Sequence, residues 1–437
     1  MLQRAMTFVA AAAALTLLAG SSYAQDQEPR VVSIIHAGRL LADASNGRVL
    51  SEQSILIGAD GDIVGIEPGY VERQGATIVD QRSRFVLPGL IDSHVHLTSE
   101  LGPNQILEEV TLTASDAALR GAENARTTLM AGFTTVADLG ANNDAIFALR
   151  RAIAERRIPG PRIIASGSAV TPDGGHGDAN GFSPDVVNVL RSPSACSGAD
   201  ACRRAVRRQI QAGADIIKIT ATGGVLSNTA AGVEQQFSDA ELQAIVEAAH
   251  AMGRQVTAHA HGAGGINAAL RAGVDSIEHG SYTNAESLRL FRRTRAYLVP
   301  TILAGVTVEE MAAQGGVLTP NQAAKAREVG TRMRQSIQNA RRQGVRVAFG
   351  TDSGVSRHGV NAREFQFLVE GGYTPVQAIA IATVNAADHL RLGDVAGRIA
   401  PGYSADIIAV EGDPTQDVET LMHVAFVMAR GAVHKDE

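Results

Sequence analysis

Apolar and polar positions change rhythm twice along this chain. From about residue 30 to 85, the runs "VVSIIHAGRLL", "SILIGADGDIVGI" and "ATIVDQ" are broken by Asp-Gly and Gly, which predicts short strands joined by tight turns. The same texture returns from about 395 to 433, in "GRIAPGYSADIIAV" and "HVAFVMARGAVH". Between them, strand-like runs alternate with amphipathic stretches such as "DAALRGAENARTTLMAG" and "DAELQAIVEAAHAMG". Eight such runs can be counted: "FVLPGLIDSHVHL", "FTTVADLG", "RIIASG", "ADIIKITATGG", "QVTAHAHG", "SIEHGS", "AYLVPTIL" and "RVAFGTDS". Apolar strands alternating with helices predict parallel βα units, and eight of them predict a closed (β/α)8 TIM barrel of the α/β class. The flanking segments are expected to pair with each other as a small β-sandwich domain.

The N-terminus predicts export. Arg4 precedes an apolar core of roughly 15 residues, too short to span a bilayer comfortably. Ser22 and Ala24 then stand where a signal peptidase needs small residues, just before Gln25. The expected layout is a signal peptide over residues 1–24, sandwich over 25–85, barrel over 86–394, and sandwich again over 395–437. The protein is then secreted or periplasmic, with no stable membrane insertion. Such a compartment lets Cys196 and Cys202, in "SACSGADAC", pair as a local loop staple; two free thiols are the alternative. Composition narrows the partners. A net charge of −6, with no basic stripe carrying interleaved aromatics, argues against nucleic acid.

Polar residues at the strand ends carry the chemistry. "DSHVHL" places His94 and His96 two apart, on one side of a strand. "TAHAHG" repeats the pattern with His259 and His261, "IEHG" ends in His279, and "FGTDSG" holds Asp352. Five of the 12 histidines therefore fall at three strand ends, on the face where this fold builds its sites. "GADIIKITATGG" adds Lys218 inside an apolar run, where an unpaired ammonium is costly. One zinc needs three protein ligands and a water, so the larger set predicts two metal ions. Beside two dications a lysine would be neutral, and a neutral amine can take up CO2 as a carbamate. Its two oxygens could bridge metals about 3.5–4 Å apart.

The ordered set "HVH", strand-four Lys, "HAH", "EHG" and "GTDSG", with "LPGLID" before it and "PGYSADIIAV" after it, resembles the amidohydrolase superfamily. More narrowly, it resembles the binuclear, carboxylated-lysine branch of Xaa-Pro-dipeptidase-like and imidazolonepropionase-like sequences. That branch includes dipeptidases and amidases that cleave ochratoxin. The resemblance implies that His94, His96 and Asp352 hold the more buried metal and that His259 and His279 hold the second. It implies that Lys218, as N6-carboxylysine, bridges them, and that Asp352 moves a proton from the bridging hydroxide to the leaving amine. Zn2+ is the expected ion, acting on a dipeptide or other small-molecule amide, and relatives of this kind are often homo-oligomers.

Other residues keep two readings. His261 either touches substrate and polarises its carbonyl, or orients a ligand. His176, in "GGHGD", is a substrate contact or a surface histidine. Arg357 and His358 could take a substrate carboxylate or simply shape their loop, and Tyr282 could line the pocket. His36, His250, His389, His423 and His434 lie off the strand ends and read as structural. Rival activities are a cyclic amidase, an imidazolonepropionase-like ring opening, which Lys218 disfavours, and a deaminase. Deaminase relatives carry a Glu where this chain has Gly262. A non-catalytic metal protein would not need Asp352. The run "LAGVTVEEMAAQGG" mildly favours an apolar substrate side chain.

Overall fold

The computed structural model describes residues 30–227 and 232–437. The expected signal peptide lies outside the described residues. Both ends of the described chain build one seven-stranded sheet. Its order is Ala432–Asp436, Val424–Ala429, Ile407–Val410, Thr77–Pro88, Val31–Leu41, Val49–Gly58 and Ile63–Pro68. Period-two alternation gives this sheet two apolar faces. Val86, Ile407, Ala409, Phe426 and Met428 form a core of the sheet's own. Their neighbours Phe85, Leu87, Ile408, Val410 and Val427 belong to the barrel's core. The small domain is thus joined to the barrel through one face of the strands Thr77–Pro88, Ile407–Val410 and Val424–Ala429. Loss of that face would expose both parts.

The eight predicted runs each supply a parallel barrel strand: Leu90–Val95, Phe133–Asp138, Arg162–Ala165, Ile216–Thr220, Gln255–Ala260, Ser276–His279, Tyr297–Val299 and Arg346–Val347. The first three and the last five form two hydrogen-bonded groups. Two seams close the ring. At one, Asp215 N donates to Ala165 O at 2.8 Å and Val170 N to Lys218 O at 2.8 Å. At the other, Ser93 N donates to Phe349 O at 2.8 Å and Asp352 N to His94 O at 2.7 Å. The fold is a (β/α)8 barrel carrying a small β-sandwich-type domain.

Barrel strands are covered on both faces, which is why they read as near-continuous apolar runs. The helices between them start on polar caps. Thr113, Ser238, Asn284 and Thr319 each open a helix with a capping box, satisfying backbone N–H groups that the first turn leaves over. Cys196 and Cys202 are joined as a disulfide, with Cα atoms 5.1 Å apart. The bond ties the start of the helix Ala199–Ala212 to the short strand Ala195–Cys196, which pairs with Thr171–Pro172. Among the described residues, no helix is long and apolar enough to cross a membrane.

Candidate metal centre

The strand ends converge. Lys218 Nζ lies 3.2 Å from His94 Nε2. Asp352 Oδ1 lies 3.4 Å from His94 Nε2 and 3.1 Å from His96 Nε2. Ligand-type atoms of His94, His279 and Asp352 all lie within 4.8 Å of one another, as do those of His259, His261 and His279. The register makes this possible, because Thr220 stands beside His259 and His259 beside Glu278. Close approach matters as well. A Cβ on Gly350 would sit 3.1 Å from His94 Cβ and 2.3 Å from Val299 Cγ1, so only glycine lets the last strand lie this near the first.

Backbone strain concentrates here. Three of the eight described non-glycine residues with positive φ are His279, Thr301 and Asp352, at 69°, 47° and 58°. Such conformations persist where surrounding structure enforces them, often at functional sites. Here the turn out of each strand aims the side chain inward.

Each imidazole is held by its other nitrogen. His94 Nδ1 meets Glu278 Oε2 at 2.8 Å, His96 Nδ1 meets Gly140 O at 2.9 Å, and His279 Nδ1 meets Thr301 Oγ1 at 2.7 Å. All three leave Nε2 turned to the site. His259 is reversed: its Nε2 faces Gly223 O at 3.3 Å, which leaves Nδ1. A carboxylate or carbonyl on the far nitrogen is the usual device that fixes the tautomer and orientation of a metal-binding histidine. Burial holds His94, His259 and His279 well below the usual imidazole range, so their lone pairs are available. Burial likewise lowers Lys218, against the opposing pull of Glu278, Asp352 and Asp138. Burial would raise Asp352, but His94 and His96 beside it bring it down to about 2, an anion. His96 goes the other way: burial would lower it, but its hydrogen bond to Asp352 raises it above the usual imidazole value. Three imidazoles kept neutral, a fourth paired with a carboxylate, and a lysine lowered by burial form a donor set that fits divalent cations.

The remaining candidates separate. His261 stacks on His279 with ring centroids 4.9 Å apart, its Nδ1 held by Ser281 Oγ at 2.7 Å. His176 lies 4.2 Å from the His259 ring, its Nδ1 on Ser227 Oγ at 2.6 Å. Burial brings these two imidazoles down to about 3 and about 4. Both line one cleft with His259, His279 and Asp352. Arg357, His358 and Tyr282 are not brought there. Arg357 is exposed, and His358, which does not line this cleft, contacts Glu100 and Ser99 close to His96. Tyr282 is half-buried under Arg332, 5.6 Å from its ring centroid.

Several residues of the site carried no role in the sequence reading. Glu278 holds His94 and also accepts from Ser276 Oγ at 2.8 Å. Asp138 accepts from Leu97 N at 2.7 Å, bracing the chain beside His96. Asp92 binds Thr351 Oγ1 at 2.6 Å and Asn361 Nδ2 at 2.8 Å, tying the first strand to the last. A signal for them existed: each is a carboxylate alone in an apolar strand, the anomaly that marks Lys218.

The comparisons agree with this architecture. The amidohydrolase family model matches residues 85–433. The chain is 34% identical over 417 residues to ochratoxinase of Aspergillus niger, covering 89% of this chain and 83% of that protein. A crystal structure of a Xaa-Pro dipeptidase with bound methionine in the active site superposes with a TM-score of 0.87 at 36% identity, over 92% of this chain and 99% of that one. The crystal structure of A. niger ochratoxinase gives 0.82 at 30%, over 94% and 97%. This chain belongs to the amidohydrolase family, and it is a hydrolase of amide bonds.

Proposed function

We propose that this chain is an exported, binuclear metal-dependent amidohydrolase that releases an amino acid from dipeptides or N-acyl amino acids, amides of the ochratoxin type included. The observation that carries the reading is the convergence of four imidazoles, Lys218 and Asp352, with the second nitrogen of each imidazole already engaged. His94, His96 and Asp352 would hold one ion, His259 and His279 the other, and carboxylated Lys218 both. Two divalent ions, Zn2+ by donor type, supply Lewis acidity and lower the pKa of water when bound. The chain's own groups do the rest. Asp352, ionised and facing both His94 and His96, accepts the proton of the attacking water and passes it to the leaving nitrogen. His261 and His176, which line the cleft and are kept neutral by burial, would touch the substrate.

A deaminase is disfavoured by space as well as by sequence. A Cβ on Gly262 would stand 2.5 Å from the Val233 carbonyl oxygen, so a Glu there has no room. Ring-opening by an imidazolonepropionase-like or cyclic amidase route shares the site but not the need for an amino-acid product. The decisive experiment measures metal content and free amino acid released from a panel of dipeptides and N-acyl amino acids. Two divalent ions per chain with amino-acid release is the expected result. One ion with unmodified Lys218 would sink the binuclear reading.

A further inference from the structure

The cleft has two unlike sides. One carries the histidines and Asp352. The other is formed by Ala304, Gly305 and Val308 on the helix Ile302–Gln314, facing Val329 and Met333 on the helix Pro320–Arg342. Residues four apart share a helix face, so both helices turn an apolar stripe to the same space. Asp352 is the only carboxylate among the described residues that line the cleft, and it is committed to His94 and His96. The chain neighbours of Val308 and Met333 do carry charge, but Glu309 and Arg334 close on each other at 3.0 Å. Lys325, whose charge reaches His176 and His261, is held by Gly224 O at 2.9 Å and Ser227 O at 2.7 Å and does not line the cleft. A charged substrate side chain entering between these apolar residues would lose its water to a wall that offers no charge. An apolar one would gain by burial.

Depth is also readable. A Cβ on Gly305 would lie 2.7 Å from Met333 Sδ and 3.4 Å from Gly330 Cα. The two helices therefore touch across a missing side chain, and Met333 is the adaptable end wall. We infer that this apolar side is the side-chain pocket for one of the two groups flanking the scissile amide, that it takes an uncharged side chain of leucine or methionine size, and that Met333 over Gly305 sets its length. The inference rests on the amide-hydrolase reading above and adds the substrate class to it.

The test uses the Zn2+-loaded full chain and amides varied one side at a time through Ala, Leu, Met, Phe, Trp, Lys and Asp. At one position, kcat/KM for Leu or Met exceeds that for Lys and Asp by about 100-fold or more. Met333→Ala raises Phe and Trp relative to Leu by about tenfold, and Gly305→Ala lowers Leu and Met relative to Ala by about tenfold. These ratios are read within each variant, so partial loss of folded protein cancels. Lys or Asp within tenfold of Leu at both positions overturns the pocket, as does a ratio that neither variant moves. Hydrolysis without discrimination overturns the pocket alone. Hydrolysis of no amide at all overturns the amide-hydrolase reading, and the pocket with it.

Discussion

The two walls of the cleft are fixed by different forces. The wall of strand ends is set by hydrogen bonds: Glu278, Gly140 and Thr301 each pin one nitrogen of a histidine. The helical wall is set by packing of Val308, Val329 and Met333, all buried. Hydrogen bonds are directional and fail within tenths of an ångström. Apolar packing tolerates exchange if volume is kept. The first wall should therefore be intolerant of change in chemistry and the second tolerant, which lets the range of substrates move while the reaction stays.

The sharpest break of that comparison is Lys218→Ala, which removes the group proposed to bridge the two ions. Turnover should fall by about a thousandfold or more, since Lewis-acid positioning is worth several kcal/mol. Short carboxylic acids should restore part of it by filling the space with a free carboxylate. Failure of any such rescue, with metal still bound, would argue against a carbamate. Asp352→Asn comes next. It keeps an oxygen near His96 but cannot carry a proton, so kcat should drop by about 10²–10⁴-fold with a smaller loss of metal. Unchanged turnover in metal-replete protein would remove Asp352 from its proton role.

Glu278→Gln tests whether the far-side hydrogen bonds count. Gln still fills the space between His94, Thr257 and Ser276 but no longer offers a carboxylate to His94 Nδ1. Metal affinity should fall by about 10–100-fold, with kcat recovering in excess metal. Equal affinity in variant and parent would mean that His94 is held by packing alone, and the contrast between the walls would weaken.

Much of the barrel was legible because buried parallel strands leave long apolar runs, and every one of the eight sits on a strand. The donor residues were legible for a related reason: a polar side chain in such a run must have a partner. The same rule marks Asp92, Asp138 and Glu278; Asp92 and Glu278 are overshadowed by the histidines close to them in the chain, whereas Asp138 ends a strand that holds no histidine. Thr301, Ser281 and Ser227 were not legible at all. Their bonds to His279, His261 and His176 join residues 22, 20 and 51 positions apart, and nothing local marks a hydroxyl for that use. For Arg357 and His358 the sequence left a substrate contact and a loop role open. Both follow the last strand closely, but Arg357 is exposed and His358 is bonded to Glu100 and Ser99, and neither lines the cleft.

The smallest expected effect concerns the residue that caps the helical wall. Glu364 is fully buried and accepts from Ile302 N at 2.9 Å and Leu303 N at 2.7 Å, at the start of the helix that carries Ala304, Gly305 and Val308. Burial pushes its carboxyl up to about 8, against the pull of those two N–H groups. In the unfolded chain the same group ionises near 4.5. Between these values the folded protein holds a proton that the unfolded chain releases, so this contribution to stability is complete below 4.5 and is lost as pH rises through 8. Glu364→Gln keeps the shape and cannot titrate. Its melting temperature should therefore decline less than that of the parent between pH 4.5 and 8, by roughly 1–3 °C over the window. Parallel declines in the two proteins would show that Glu364 stays ionised, and that it holds the start of the helix Ile302–Gln314 as an anion and not as a neutral hydrogen-bonded cap.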